Sequence, residues 1–135
     1  MDLSHNERKL TQSVNNLEKS LLRLEEALQE DHQNSLIVDG TIQRFEFTIE
    51  LFWKSLKRLL QNEGIEANTP KETLKGAYQA RWLHDETAWL QMLKDRNETS
   101  HTYNERLALE ILGNIKDYYP EMKRTFVFLK EKGLF

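Results

Sequence analysis

Leu10, Val14, Leu17, Leu21, Leu24 and Leu28 follow one another at alternating steps of four and three residues. Side chains spaced this way form a narrow stripe along one side of an α-helix, and burying the stripe requires another helix packed lengthwise against it. A bundle core and a subunit seam would both satisfy it, and the sequence leaves the two open. Ser4 and Glu7, ahead of the stripe, have the spacing of a capping box, in which each side chain satisfies an N–H of the first turn.

The next apolar pattern is wider. Ile42, Phe45, Ile49, Phe52, Trp53, Leu56, Leu59 and Leu60 share a broad face, so this helix is expected to be the most buried one. Residues 31–40 read as a loop, Asp39 or Thr41 as the cap that follows, and Gly64 as the stop. Thr69-Pro70-Lys71-Glu72 is a restart signal, with a capping threonine, a proline at the first helical position and a glutamate at the third. It predicts a short helix that turns Leu74, Ala77 and Tyr78 inward. Asp85 is expected to cap a fourth helix whose apolar face is Ala88, Trp89, Met92 and Leu93.

Thr102 and Glu105 repeat the capping-box spacing ahead of a fifth helix carrying Leu107, Ile111, Leu112 and Ile115. Pro120 is expected to break or kink that helix near Tyr118-Tyr119, and a last helix through Met122, Phe126 and Leu129 to end at Gly133. No segment shows the sustained period-two alternation of a strand. The expected fold is all-α: one domain over residues 1–135, an antiparallel up-and-down four-helix bundle with one or two short extra helices.

Composition narrows the chemistry. The absence of cysteine removes disulfides, thiolate nucleophiles and cysteine-ligated zinc, and it fits a reducing compartment. No two histidines sit four apart on one helix, so a metal site has little support, and no glycine-rich phosphate loop points to a bound nucleotide cofactor. The N-terminus lacks the apolar region of a signal peptide, and no apolar run nears the ~20 residues of a membrane span, so a cytoplasmic location is expected. With 19 basic and 22 acidic residues the net charge is −3, which confines any nucleic-acid binding to a local patch. Residues 114–135 carry +2 and the remainder −5, a balance that reads as a solvated helix face.

One stretch holds side chains suited to chemistry: Arg96-Asn97-Glu98-Thr99-Ser100-His101-Thr102-Tyr103. An imidazole can take or give a proton near neutral pH. A guanidinium stays charged, and its fork of donors suits phosphate oxygens and the extra charge of a phosphorane-like transition state. In RNA the 2′-hydroxyl can act as an internal nucleophile, which removes the need for a metal. One histidine is a thin acid–base set, and a two-fold dimer would supply two. The same spacing also fits an arginine closing one helix, a histidine opening the next, and Tyr103 as a packing residue.

Arg96, four residues, His101, Thr102 and Tyr103 together resemble the Arg-x4-His-x-Tyr signature of the HEPN superfamily, in the branch paired with minimal nucleotidyltransferases and named nucleotidyltransferase substrate-binding. The block from Gln43 to Lys57, and Tyr118-Tyr119-Pro120-Glu121-Met122, resemble the same group in the same order. The resemblance implies a helical bundle that forms a homodimer, with Arg96 and His101 as the ribonuclease pair and the two motifs sharing one cleft. Asn97 would assist them. RNA would be the substrate, and the chain the toxin half of a toxin–antitoxin pair. Tyr103 would be the phenol that the partner nucleotidyltransferase modifies with AMP, silencing the nuclease, and the partner would supply ATP and metal. The resemblance also admits a non-catalytic subunit that presents the acceptor of a two-component nucleotidyltransferase. A purely structural adaptor is the third reading.

Overall fold

A computed structural model of the protein describes residues 5–101 and 104–135. They form five α-helices: α1 (His5–Leu28), α2 (Ser35–Asn62), α3 (Pro70–Gln79), α4 (Glu86–His101) and α5 (Glu105–Glu131). The fold is all-α, a helical bundle in which α3 is the short extra helix. Among the described residues α2 touches every other helix, which makes it the spine of the bundle.

The leucine stripe of α1 faces the chain's own core. Leu10, Val14, Leu17, Leu21 and Leu24 are buried against α2 and α5, and Leu28 is half-buried. Two hydroxyl pairs, Ser13–Ser55 and Ser20–Thr48, each at 2.6 Å, tie α1 to α2 where small side chains let the helices run close. Phe45, Ile49, Phe52, Leu56 and Leu60 of α2 are fully buried. Each such side chain contributes about 1.5–3 kcal/mol relative to exposure.

The start of α2 differs from the expectation. Neither Asp39 nor Thr41 caps it. The helix begins at Ser35, and the Asn34 side chain accepts from the Leu36 N–H at 2.9 Å. Gly40, taken as loop, sits inside the helix. Val38 and Thr41 are buried there, and burial of this turn outweighs the ~1 kcal/mol that a mid-helix glycine costs. The other end is as expected: Gly64 takes φ +75°, Ile65 N–H bonds the Leu60 carbonyl at 2.9 Å, and Gly64 N–H bonds Gln61 at 3.0 Å.

Thr69 caps α3 through the Glu72 N–H at 3.1 Å, with Pro70 leading the helix. Leu74 and Ala77 turn inward, but Tyr78 does not. It lies roughly 100° around the helix from Ala77 and is 44% exposed. The helix closes with Arg81 at φ 66°, the left-handed conformation that usually selects glycine. The Trp82 N–H returns to the Ala77 carbonyl at 2.9 Å, and Trp82 and Leu83 are buried. Asp85 then caps α4 by accepting from the Ala88 N–H at 3.0 Å.

Two expectations about α5 are corrected. Its cap is Asn104, which accepts from the Leu107 N–H at 2.8 Å; Thr102, the expected cap, lies outside the described residues, as does Ser4. Pro120 does not break it, and α5 is continuous to Glu131. Pro120 faces solvent, where water can take the carbonyl it leaves unbonded, while buried Tyr118 and Met122 hold the helix on either side. Gly133, at φ 73°, closes α5 as expected.

Candidate functional site

The polar stretch is helical as far as His101. α4 runs unbroken through His101, so the side chains from Arg96 to His101 are distributed by helix geometry. Asn97 and His101, four apart, share a face. Arg96 and His101, five apart, are separated by roughly 140° around the axis.

Asn97 and His101 line one side of an open groove of about 700 Å³, together with Leu90, Leu93 and Lys94 of α4. Glu98 of α4, Lys71 of α3, and Asn104 and Leu107 at the start of α5 complete it. His101 is solvent-exposed at this groove. The groove has an apolar floor and a rim that carries two cations, Lys71 and Lys94, and one carboxylate, Glu98, which leaves it net positive by one.

Arg96 does not line that groove. Its Nη1 donates to Ser100 Oγ at 2.8 Å, and its Nε lies 3.6 Å from Glu50 Oε2 on α2. The Nε is buried and makes no hydrogen bond. Glu50 is shared further, accepting from Trp53 Nε1 at 3.1 Å and pairing with Lys54 at 3.4 Å. One turn away, Thr99 Oγ1 donates to Glu46 Oε2 at 3.1 Å. Two glutamates of α2, four residues apart, thus hold the end of α4 on its Arg96 side. The described residues therefore bring Asn97 and His101 together and set Arg96 on an adjoining face. Tyr103 lies outside them.

Sequence reasoning missed Asp95. It is 3% exposed. It accepts from Gln91 Nε2 at 3.2 Å, Asn114 Nδ2 at 3.0 Å and the Tyr118 hydroxyl at 2.6 Å. Burial, followed by the bond to Asp95, pushes the Tyr118 phenol well above its ordinary pKa. This carboxylate fastens α4 to α5 one residue before the polar stretch begins. The signal was present: Asp95 continues the stripe of Trp89 and Met92, and Asn114 and Tyr118 have helix-neighbour spacing. Glu46 and Glu50 lie outside the broad apolar pattern of α2, and only tertiary packing shows that they meet α4.

A helical bundle whose fourth helix carries Arg96, Asn97 and His101 at its end belongs to a defined class. The chain is a member of the family described as nucleotidyltransferase substrate binding protein like, whose model matches residues 12–131. This bears out the likeness read from Arg96–Tyr103 and the α2 block. Among its relatives is a Haemophilus influenzae protein described as a probable ribonuclease HepT, 29% identical, with 87% of this chain and 86% of that protein covered. A solved Thermus thermophilus structure is 37% identical with a TM-score of 0.78, covering 84% of this chain and 98% of that one. A Haemophilus influenzae structure described as the fold of a substrate binding domain of a nucleotidyltransferase is 26% identical with a TM-score of 0.65, covering 91% and 98%.

Proposed function

We propose that this chain is the ribonuclease toxin of a two-gene toxin–antitoxin pair, a cytoplasmic, single-domain HEPN-type protein that acts as a homodimer and whose antitoxin is a minimal nucleotidyltransferase. The observation that carries the reading is the exposed His101 imidazole beside Asn97 in an open groove rimmed by Lys71, Lys94 and Glu98. The probable-ribonuclease relative supports it.

In the proposed reaction the substrate's 2′-hydroxyl attacks the adjacent phosphorus, and His101 takes its proton. The P–O5′ bond breaks, and the leaving oxygen takes a proton from the imidazolium of the second copy's His101. The products are a 2′,3′-cyclic phosphate and a 5′-hydroxyl. Arg96 stabilises the charge of the phosphorane-like transition state, and Asn97 assists beside the imidazole. Because Arg96 and His101 open on different sides of α4, a two-fold dimer is what completes a cleft holding both. The nucleophile belongs to the substrate, so the mechanism calls for no metal. AMP transfer would silence the site: the Tyr103 phenol oxygen bonds to the α-phosphorus of ATP, pyrophosphate leaves, and the phenolic proton passes to a base. The added phosphate brings negative charge beside the cleft.

The test is RNA cleavage in EDTA by protein free of AMP. His101→Ala is expected to lower the rate by about 10²–10⁴-fold, the usual worth of a positioned acid–base group. Equal rates in both proteins would overturn the reading. Incubation with the partner, ATP and Mg²⁺ is expected to add one AMP by intact mass, and Tyr103→Phe to abolish the gain.

A second reading, a non-catalytic substrate-binding subunit of a two-component nucleotidyltransferase, is favoured by the engagement of Arg96 with Glu50 and Ser100, away from the His101 groove. AMP transfer to Tyr103 without RNA cleavage by the unmodified protein would select it.

A further inference from the structure

The outer seam between α1 and α2 holds two adjoining depressions, of about 650 Å³ and 310 Å³, which share Asn16 and Leu51. Together they form one furrow. The helices run antiparallel along it: Arg44 Nη1 donates to the Arg23 carbonyl at 2.8 Å at one end, and Asn6 Nδ2 to the Arg58 carbonyl at 3.3 Å at the other. Lys9, Lys19 and Arg23 line it from α1, and Arg44, Lys54 and Arg58 from α2. From Lys9 to Arg23 this spans roughly 21 Å of helix axis at 1.5 Å per residue. The only carboxylate lining it is Glu50, which pairs with Lys54, and no ion pair among the described residues engages the other five cations. On a chain of net charge −3, this is a concentrated basic track.

We infer that this furrow binds the backbone of single-stranded RNA and carries it past Arg96; the inference rests on the ribonuclease reading. Three features favour this occupant. Cations along a groove neutralise successive phosphates. Phe47, 57% exposed at the furrow, offers a ring on which an unpaired base can stack, whereas a duplex hides its base faces. Glu50 lines the furrow midway between Arg44 and Arg58 and sits 3.6 Å from Arg96 Nε, so the guanidinium stands beside the middle of the track. An amphipathic acidic helix would need an apolar stripe to dock on, and Phe47 and Leu51 are the only large apolar side chains in the lining. A membrane surface would meet a concave seam.

The test uses the full chain and a short fluorescein-labelled oligouridine, 2′-O-methylated so that it cannot be cleaved, with anisotropy read across a salt series. Lys19→Ser/Arg23→Ser is expected to weaken binding at least tenfold and to flatten the log–log salt slope by about 1.4, two cations at ~0.7 each. Phe47→Ala is expected to weaken binding about tenfold without changing that slope. Lys19→Arg/Arg23→Lys, which keeps the charge, is expected to bind like the native protein, separating charge loss from misfolding. Native-like affinity in the double serine variant would overturn the inference. So would loss of binding to phosphatidylserine–phosphatidylcholine vesicles in that variant while RNA binding persists. Cleavage of unmodified RNA is read separately. Furrow-dependent binding without cleavage supports the track and removes the ribonuclease reading. Cleavage with an unchanged KM in the double serine variant overturns the track and leaves that reading standing.

Discussion

The two halves of α4 are built in opposite ways. From Glu86 to Asp95 the helix is fixed by burial: Trp89 and Met92 are fully buried, Trp89 meets Phe52 edge-on at 4.6 Å, and Asp95 gathers donors from α4 and α5. From Arg96 to His101 no residue is buried, and the segment is held to α2 by a part-exposed ion pair and the Thr99–Glu46 hydrogen bond. One continuous helix thus carries the candidate site on its less buried end and its burial on the other. Changes in the first half should act on folding, and changes in the second on activity.

Trp89→Ala is the strongest challenge to this division. Emptying a fully buried indole site costs about 3–5 kcal/mol, whereas His101→Ala, on an exposed position, should stay within about 0.5 kcal/mol. Denaturant melts of the two variants check this. Similar losses would mean that the two halves are anchored alike. Asp95→Ala should follow at about 1–3 kcal/mol, because it strands the buried Tyr118 hydroxyl without its acceptor. Asp95→Asn keeps one acceptor oxygen and should cost less in the same melt.

The Tyr118–Asp95 bond also gives the anchored half a pH signature. Burial and the adjacent carboxylate keep the folded phenol protonated above the range of a free tyrosine. Unfolded tyrosine titrates near ~10, so above that pH the folded chain binds more protons than the unfolded one and stability falls as pH rises. Below ~10 the contribution is fully present. Tyr119, held by Glu25 of α1, is shifted in the same direction for the same reasons. Tyr118→Phe should therefore flatten the alkaline limb of a Tm-against-pH curve, leaving the part that belongs to Tyr119. An unchanged limb would detach Tyr118 from the anchor.

What could be read from the sequence divides along similar lines. The leucine stripe of α1, the caps Thr69 and Asp85 and the stops Gly64 and Gly133 were legible because each rests on neighbours within a turn or two. The start of α2 and the continuity of α5 were not. Gly40 and Pro120 are local breakers, and they are overruled by burial of Val38 and Thr41 in one helix and of Tyr118 and Met122 in the other. The residues of the candidate site could be named, but their directions could not. A five-residue gap looks like proximity along the chain, and it becomes divergence once the stretch is helical. The basic furrow was invisible for a different reason. Its cations come from two helices that the chain brings together only by folding, while the tail at residues 114–135 that looked basic takes no part in it.

The smallest expected effect tests the exposed half directly. The Arg96–Glu50 pair is partly solvated, with side chains 31% and 33% exposed. Pairs of this kind contribute about 0–1 kcal/mol. Glu50→Gln keeps an oxygen for Trp53 Nε1 and removes the charge facing Arg96. Its melt should shift by less than about 1 kcal/mol. Affinity for the oligouridine should rise, since the furrow then has no carboxylate and the guanidinium is free to meet a phosphate. A loss as large as that of Asp95→Ala would show that α2 clamps the end of α4 as firmly as the core clamps its beginning. The picture of an anchored half bearing a less buried one would then fail, because the guanidinium would be a structural strut and not a group waiting for substrate.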